Sequence, residues 1–155
     1  MKNATKLWEL TAGQTMGVLS TMSKRQAGYP FGSVVAYALD GQARPVLLIS
    51  ALAVHFKNLQ SDSKGSLTVF EDEALSNPMT AARATLMGEF HPVPESELAV
   101  VKAAYLARHP EAERWANFGD FAFLRMDIRD IYYIGGFGSM GWILPEDYRA
   151  ASGES

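Results

Sequence analysis

The sequence has 155 residues, of which 48% are hydrophobic, and these values suit a single globular domain over residues 1–155. Its formal net charge of −3 excludes the broad positive surface that attracts nucleic acid or anionic lipid, so we expect neither a nucleic-acid nor a membrane partner. The absence of cysteine excludes disulfides, thiolate catalysis and Cys-based metal sites, and it suits a cytoplasmic protein.

The N-terminal part of the chain predicts one helix followed by strands in hairpin-like order. Apolar spacing predicts a helix over residues 4–14, and the alternation in MGVLSTM predicts a strand over residues 16–22. GSVVAYAL is typical of a second strand. The Asp-Gly pair in DGQAR predicts a hairpin turn into a third strand, PVLLIS, because Gly accepts positive φ. We expect a short helix in ALAVHFKNLQSD and a fourth strand in GSLTVFE.

The C-terminal part continues this pattern. RATLMGEFHPV predicts a fifth strand, and PESELAVVKAAYLARHP predicts a helix because Leu98, Val101 and Tyr105 recur at helical spacing. FAFLRMDI and RDIYYIGGFG predict two more strands separated by a turn near Asp127–Asp130, and we expect a frayed tail over about 149–155. With so few crossover helices, this order indicates a mainly β protein, an antiparallel barrel with helical decoration.

Two glycine-rich stretches with aromatic residues lie at strand ends, GYPFGSVV and YIGGFGSMGW. Glycine lets a ligand or another backbone approach closely, and proline gives the first bend a defined shape. One interpretation is an ordinary hairpin entry and an irregular strand end. The other is a pocket for a flat aromatic ligand such as flavin or haem, and the residues alone leave both open.

The stretch ISALAVHFKNL carries groups that suit a phosphate. Ser50, His55, Lys57 and Asn58 lie at or just after a strand end, where a hydroxyl, an ammonium group and helix N–H donors meet. The stretch is not a P-loop, and Lys57 equally fits a solvated surface position, so both interpretations stand. The three histidines follow no ligand spacing and no carboxylate pair stands out, so we assign neither a metal site nor a catalytic residue.

The ordered set GYPFGSVVAYALDGQARPVLLIS, HFKNL, GSLTVF, RATLMGEF, ARHPEAERWANFGDFAFLRM and YYIGGFG resembles a known superfamily. It is that of the pyridoxamine 5′-phosphate oxidase-like FMN-binding split barrels, in the branch that includes haem-utilisation proteins. The resemblance runs from about Met16 to Trp142 and implies a split-barrel homodimer with FMN in clefts at the subunit interface. It implies cofactor contacts from Ser33, Val34, Val35, Tyr37, Ser50, Lys57, Asn58 and Arg83.

The function implied by this resemblance is an FMN-binding flavoprotein, an oxidoreductase acting on an unidentified small molecule, since the cofactor itself performs hydride transfer. The alternative is a non-catalytic haem or flavin carrier or sensor, and a third interpretation is a dimeric interaction protein with a vestigial pocket. The stretch GWILPEDYR departs from the Trp-to-Arg substrate pattern of pyridoxamine phosphate oxidases, so pyridoxal phosphate synthesis is not expected. We expect Phe31, Phe137 and Trp142 to contribute to the dimer interface.

Overall fold

The computed structural model describes residues 2–136 and 138–153. Its α-helices are α1 (Lys2–Gly13), α2 (Val54–Ser61), α3 (Glu95–Arg108) and α4 (Pro145–Gly153). Its strands are β1 (Met16–Met22), β2 (Pro30–Ala36), β3 (Ala38–Leu39), β4 (Pro45–Ser50), β5 (Lys64–Phe70), β6 (Arg83–Pro92), β7 (Phe121–Ile134) and β8 (Met140–Ile143). Within the described residues, no helix combines the length and hydrophobicity needed to cross a membrane.

The strands form one antiparallel sheet in the order β2-β1-β5-β6-β7-β4-β3, and β8 pairs with β7. The end strands β2 and β3 are separated in sequence by Tyr37 alone. The sheet must therefore curl until its two ends are adjacent, which produces a split barrel. This confirms the predicted fold class, a mainly β split barrel with helical decoration.

Tyr37 holds the sheet in its curled form. Its N–H donates to the Thr15 carbonyl at 3.0 Å, and its hydroxyl donates to the Thr11 carbonyl at 2.6 Å. The Nε2 atom of His109 lies 2.6 Å from the Tyr37 carbonyl oxygen. Burial raises the pKa of the Tyr37 hydroxyl well above its ordinary value, so this group remains a protonated donor.

A row of apolar residues crosses the inner face of the sheet. By register, Leu19 pairs with Leu67, Leu67 with Leu86, Leu86 with Ile131, and Ile131 with Ile143. All five side chains are buried in the main core. Burying each of them stabilises the fold by about 2 kcal/mol before conformational entropy is counted, so this row is a major part of the core.

Strand β7 is continuous, so the predicted turn near Asp127–Asp130 is wrong. A β-bulge takes its place, because Met87 pairs with Asp130 and Gly88 with Ile128, which leaves Arg129 as an extra residue. A Cβ on Gly88 would lie only 2.1 Å from the Asp127 carbonyl oxygen. Glycine at this position is what lets the two strands approach across the bulge.

The hairpin between β3 and β4 was predicted correctly, but its left-handed residue is Ala43, with φ 62°, and not the glycine of the Asp-Gly pair. The Asp40 carboxylate stabilises the loop by accepting hydrogen bonds from the N–H groups of Gln42 and Arg44. The Ala43 carbonyl accepts a hydrogen bond from the hydroxyl of Tyr148 at 2.9 Å. The turn is therefore shaped by side-chain contacts as well as by local backbone preference.

The C-terminal segment is more regular than expected. The expected frayed tail covers about 149–155, and its described residues, 149–153, lie in α4, which continues to Gly153. Tyr148 anchors this helix, because its side chain is buried and its hydroxyl also lies 3.0 Å from Thr11 Oγ1. Phe137, expected at a subunit interface, lies outside the described residues.

The close approach of β6 and β7 at the bulge predicts how a substitution of Gly88 affects stability. We expect Gly88→Ala to lower the free energy of unfolding by at least about 2 kcal/mol, because the new methyl group overlaps backbone. Gly41→Ala is the matched control, since a Cβ there meets nothing within 4 Å. Its effect should stay within about 0.5 kcal/mol in urea unfolding. Equal unfolding midpoints for the two variants would contradict the assignment of the bulge.

Candidate functional site

The outer face of the sheet carries a continuous row of uncharged side chains. By register this row, which we call the outer row, consists of Val34, Val18, Thr68, Thr85, Tyr132 and Trp142. Val34 is 70% exposed and Trp142 is 63% exposed. Sheet faces that contact water usually carry polar and charged side chains. The absence of charge from this row, with Val34 and Trp142 exposed, indicates a face that is covered by a ligand or by another protein.

Beside the outer row lies an open groove of about 520 Å³, lined by residues of β1, β2, β5, β6 and β7. We call it the sheet groove. Its floor follows the next row of the register, in which Ser20 pairs with Ser66, Ser66 with Met87, and Met87 with Asp130. Its volume falls in the range of ordinary small-molecule sites, so it is the candidate functional site.

Two cations stand among the residues that line the sheet groove, Lys64 and Arg129. The side chain of Lys64 is 76% exposed, and its Nζ lies 3.9 Å from the Asp62 carboxylate. The guanidinium of Arg129, 77% exposed, lies 3.3 Å from the Glu89 carboxylate. Such exposed ion pairs are weak, so both cations remain available to an anionic group on a ligand.

No histidine lines the sheet groove. His109 is buried against Tyr37, and His55 lies on α2, where burial lowers the pKa of its imidazole. In residues 2–136 and 138–153, no three His, Asp or Glu side chains are grouped to hold a metal ion. The carboxylates that line the groove, Glu89 and Asp130, are not accompanied by a histidine, and we assign the groove to binding and orienting a ligand.

The eight residues predicted to bind a cofactor do not gather in this groove, and none of them lines it. Ser50 pairs with Phe121 at the start of β7, whereas Arg83 pairs with Ile134 at its end, so the two lie at opposite ends of the sheet. On the strand predicted to pass along the flavin, Val34 points outward. The buried members of the set are Val35, Tyr37 and Asn58, and the first two belong to the main core. Ser33 is partly buried.

The predicted phosphate side of the site has other hydrogen-bond partners in this chain. The Ser50 hydroxyl donates to the Asp120 carboxylate at 3.0 Å. The buried Asn58 side chain donates to Thr21 Oγ1 at 3.1 Å and accepts from the Lys24 N–H at 2.9 Å. Lys57 is exposed, and Arg83 donates to the carbonyls of Pro78 and Ala81. The cofactor role of the eight residues therefore stays a prediction.

Sequence reasoning missed the groove because its residues are scattered over five strands. Ser20, Ser66 and Met87 belong to no sequence motif, and Arg129 lies in the stretch whose composition predicts a turn. One signal was available in the sequence, since the outward phase of MGVLSTM and GSLTVFE contains apolar and hydroxyl residues. An outward phase without charge is typical of a sheet face that is covered.

The family model described as CREG, beta-barrel, matches residues 2–150. The protein described as non-canonical heme oxygenase HOZ, chloroplastic, from Arabidopsis thaliana is 41% identical over 143 residues, 90% of this chain and 43% of that protein. Protein CREG1 of Gallus gallus is 26% identical over 149 residues, 85% of this chain and 77% of that one.

Among solved structures, a heme binding protein from Mycobacterium smegmatis superposes with a TM-score of 0.88 at 31% identity. The match covers 96% of this chain and 60% of the mycobacterial chain. These matches confirm the predicted relation to split barrels that include haem-utilisation proteins. The chain spans less than half the length of the plant relative.

The contacts of Asn58 predict a structural role that is measurable without any ligand. We expect Asn58→Ala to lower the free energy of unfolding by about 2 kcal/mol, because it leaves the buried Thr21 hydroxyl and the Lys24 N–H without their partner. Lys57→Ala, which removes the exposed neighbouring side chain, should change stability by less than about 0.5 kcal/mol. Urea unfolding of the ligand-free protein gives both values, and an unchanged Asn58→Ala midpoint would contradict this role.

Proposed function

The chain belongs to the CREG β-barrel family, and on that premise we propose that it is a haem-binding protein. The observation that carries the proposal is the 41% identity to a non-canonical heme oxygenase over 90% of this chain. The likeness to the mycobacterial heme binding protein supports it over 96% of the chain. Haem binding is the alternative to an FMN oxidoreductase that the sequence left open, and these matches support it better.

The outer face of the sheet fits the chemistry of haem. Haem presents a flat apolar ring, two carboxylates and an iron ion. The uncharged outer row suits the ring, and Lys64 and Arg129 at the sheet groove suit the carboxylates through charge-assisted hydrogen bonds. Met22 and Met87 also line the groove, and their thioether sulphurs are the groups there that would hold the haem iron.

Bound haem would supply the redox and oxygen chemistry typical of this group, which no side chain of this protein can supply. The contribution of the chain is to bind and orient the ring. Gly32 assists by its size, because it pairs with Ser20 on the outer face and a Cβ there would meet only a Val18 methyl group, at 3.8 Å. A flat ligand can therefore lie close to the strands at this position.

We also propose that the chain is a homodimer whose interface includes the outer row, so that each haem ring would lie between the two protomers. Val34 and Trp142 lie at the two ends of this row. Met140, which is 57% exposed, lies two residues before Trp142 on β8. Large exposed apolar side chains on an uncharged face are typical of protein interfaces, and aromatic residues and methionine are enriched in interface cores. A two-fold axis on this face would bring two sheet grooves and two copies of the row together.

The cytoplasm remains the proposed location. The plant relative is described as chloroplastic, so this proposal needs a direct test, such as localisation of the tagged full-length protein.

The haem proposal predicts how the two cations affect affinity. Titration of the purified chain with haemin should give a shifted and intensified Soret band. Lys64→Ala combined with Arg129→Ala should weaken haemin binding by about tenfold, because two charge-assisted contacts to the carboxylates are lost. Lys6→Ala, which removes an exposed cation on α1, should leave the affinity unchanged. Protoporphyrin dimethyl ester, which lacks the carboxylates, should bind the wild type and the double variant equally.

Flavin binding is measured in the same spectrophotometric experiment. A chain that leaves the haemin spectrum unchanged and takes up FMN would overturn the haem proposal in favour of the flavoprotein. In that case Lys57→Ala should weaken FMN binding more than riboflavin binding, since only FMN carries the phosphate. Equal losses for both ligands would remove Lys57 from the phosphate site.

The dimer proposal predicts a charge-sensitive interface. We expect light scattering to give a mass near twice the 17.0 kDa of the chain. Val34→Lys should shift the protein towards monomer, because it places a charge in an apolar interface. Val100→Lys is the matched control, since Val100 is 75% exposed on α3 and lies outside the outer row. A wild-type monomer, or a Val34→Lys dimer as stable as wild type, would refute the interface.

A further inference from the structure

A second cavity, of about 440 Å³, lies where the C-terminal half of α2 meets the end of β6. We call it the helix cavity. It shares no residue with the sheet groove or with the eight positions predicted for a cofactor. Its volume also falls in the range of small-molecule sites, and neither the proposed haem site nor the proposed dimer interface uses it.

The walls of the helix cavity belong to regular, hydrogen-bonded backbone. The Phe90 N–H donates to the Ser63 carbonyl at 2.8 Å, which ties the link between α2 and β5 to the end of β6. On the other side, Pro92 of β6 pairs with Leu124 of β7. The opening is therefore held from both sides without a ligand, so little ordering cost would oppose binding.

The base of the cavity is apolar and partly aromatic. Phe90, Leu59 and Leu124 are 3%, 5% and 5% exposed and belong to the main core, and Phe56 packs against them. These side chains offer a ligand two phenyl rings and two branched aliphatic groups. Aromatic rings pack favourably against other rings in offset or edge-to-face geometry, so the base suits a planar ligand.

Apart from Pro92, the remaining lining of the cavity is polar. Gln60, Ser61, Ser63 and His91 supply an amide, two hydroxyls and an imidazole, while Lys, Arg, Asp and Glu are absent from the lining. None of these four side chains hydrogen-bonds to another described residue. Their donors and acceptors are thus free to meet those of a ligand.

From this arrangement we propose that the helix cavity is a second ligand site, which takes an uncharged planar heteroaromatic molecule. The ring lies against Phe56 and Phe90, and its polar edge exchanges hydrogen bonds with His91 and Gln60. An ionised ligand is disfavoured because its charge would be desolvated without a counter-ion. The same argument excludes haem, whose two carboxylates would find no cation here.

Three small probes of similar ring size test this chemistry on the full chain. Carbostyril is a neutral bicyclic lactam, quinaldate carries a carboxylate, and naphthalene has no polar edge. We expect carbostyril to bind about tenfold more tightly than either of the others. Binding should move the backbone amide signals of Ser63, Phe90 and His91 in NMR spectra, while the signals of Ser20 and Ser66 stay in place.

Two variants locate the site. Ser61→Trp, at an exposed position on the cavity rim, should weaken carbostyril binding by at least about tenfold by filling the opening. Ser96→Trp, also exposed but on α3, should leave it unchanged. His91→Phe keeps a ring and removes its nitrogens, so it should weaken carbostyril by about fivefold and leave naphthalene unaffected.

The outcomes separate this proposal from the haem proposal. Haemin binding should be equal in wild type and Ser61→Trp. A chain that does not bind haemin in the sheet groove would therefore leave the proposal for the helix cavity intact. The proposal is overturned if carbostyril shows no binding up to about 5 mM, which corresponds to about 3 kcal/mol. It is also overturned if quinaldate binds as well as carbostyril, or if Ser61→Trp leaves carbostyril binding unchanged.

Discussion

The single-residue link between β2 and β3 is the constraint on which the rest of the structure depends. With only Tyr37 between them, the two ends of the strand order must lie side by side, so the sheet has to curl. Three groups from outside the sheet hold the link, the carbonyls of Thr11 and Thr15 and the ring of His109. Helix α1 and the segment after α3 are therefore attached to the barrel at its closure point, and they are part of what keeps it curled.

Curling gives the sheet two faces with different roles. The inner face is filled by the row from Leu19 to Ile143, which buries its apolar area within the chain. The outer face repeats apolar and hydroxyl residues where charge would normally favour solvent. A one-residue shift of register would exchange the two faces, and the bulge at Arg129 makes such a shift inside β7 without breaking the pairing on either side. The same bulge brings an arginine to the groove on the outer face.

The alternation or helical spacing of apolar residues predicted the helices and strands well where short-range sequence determines the structure. The strands Met16–Met22 and Pro45–Ser50 and the helix before His109 follow directly from alternation or helical spacing. The prediction of secondary structure failed where contacts between residues distant in sequence determine the conformation. The polar stretch DIRD is typical of a turn. Pairing with β6 keeps β7 extended there, because Gly88 has no side chain to prevent the close approach of the two strands. Helix α4 is fixed by the contacts of Tyr148 with Thr11 and Ala43, and spacing along the chain cannot show these.

The candidate site was harder to predict than the fold for a related reason. Asn58 and Ser50 have the chemistry of phosphate ligands, yet in the folded chain their polar atoms are used by Thr21, Lys24 and Asp120. A side chain's type shows what it can bind, whereas only the fold shows which of its atoms remain free. The two cavities illustrate this difference. The cations of the sheet groove are exposed and form only weak surface ion pairs. The lining of the helix cavity contains no Lys, Arg, Asp or Glu, and its imidazole and amide make no hydrogen bond to another described residue. Charge at one site and its absence at the other would let a single small barrel distinguish an acidic porphyrin from a neutral ring, because each ligand would lose its polar contacts in the other site.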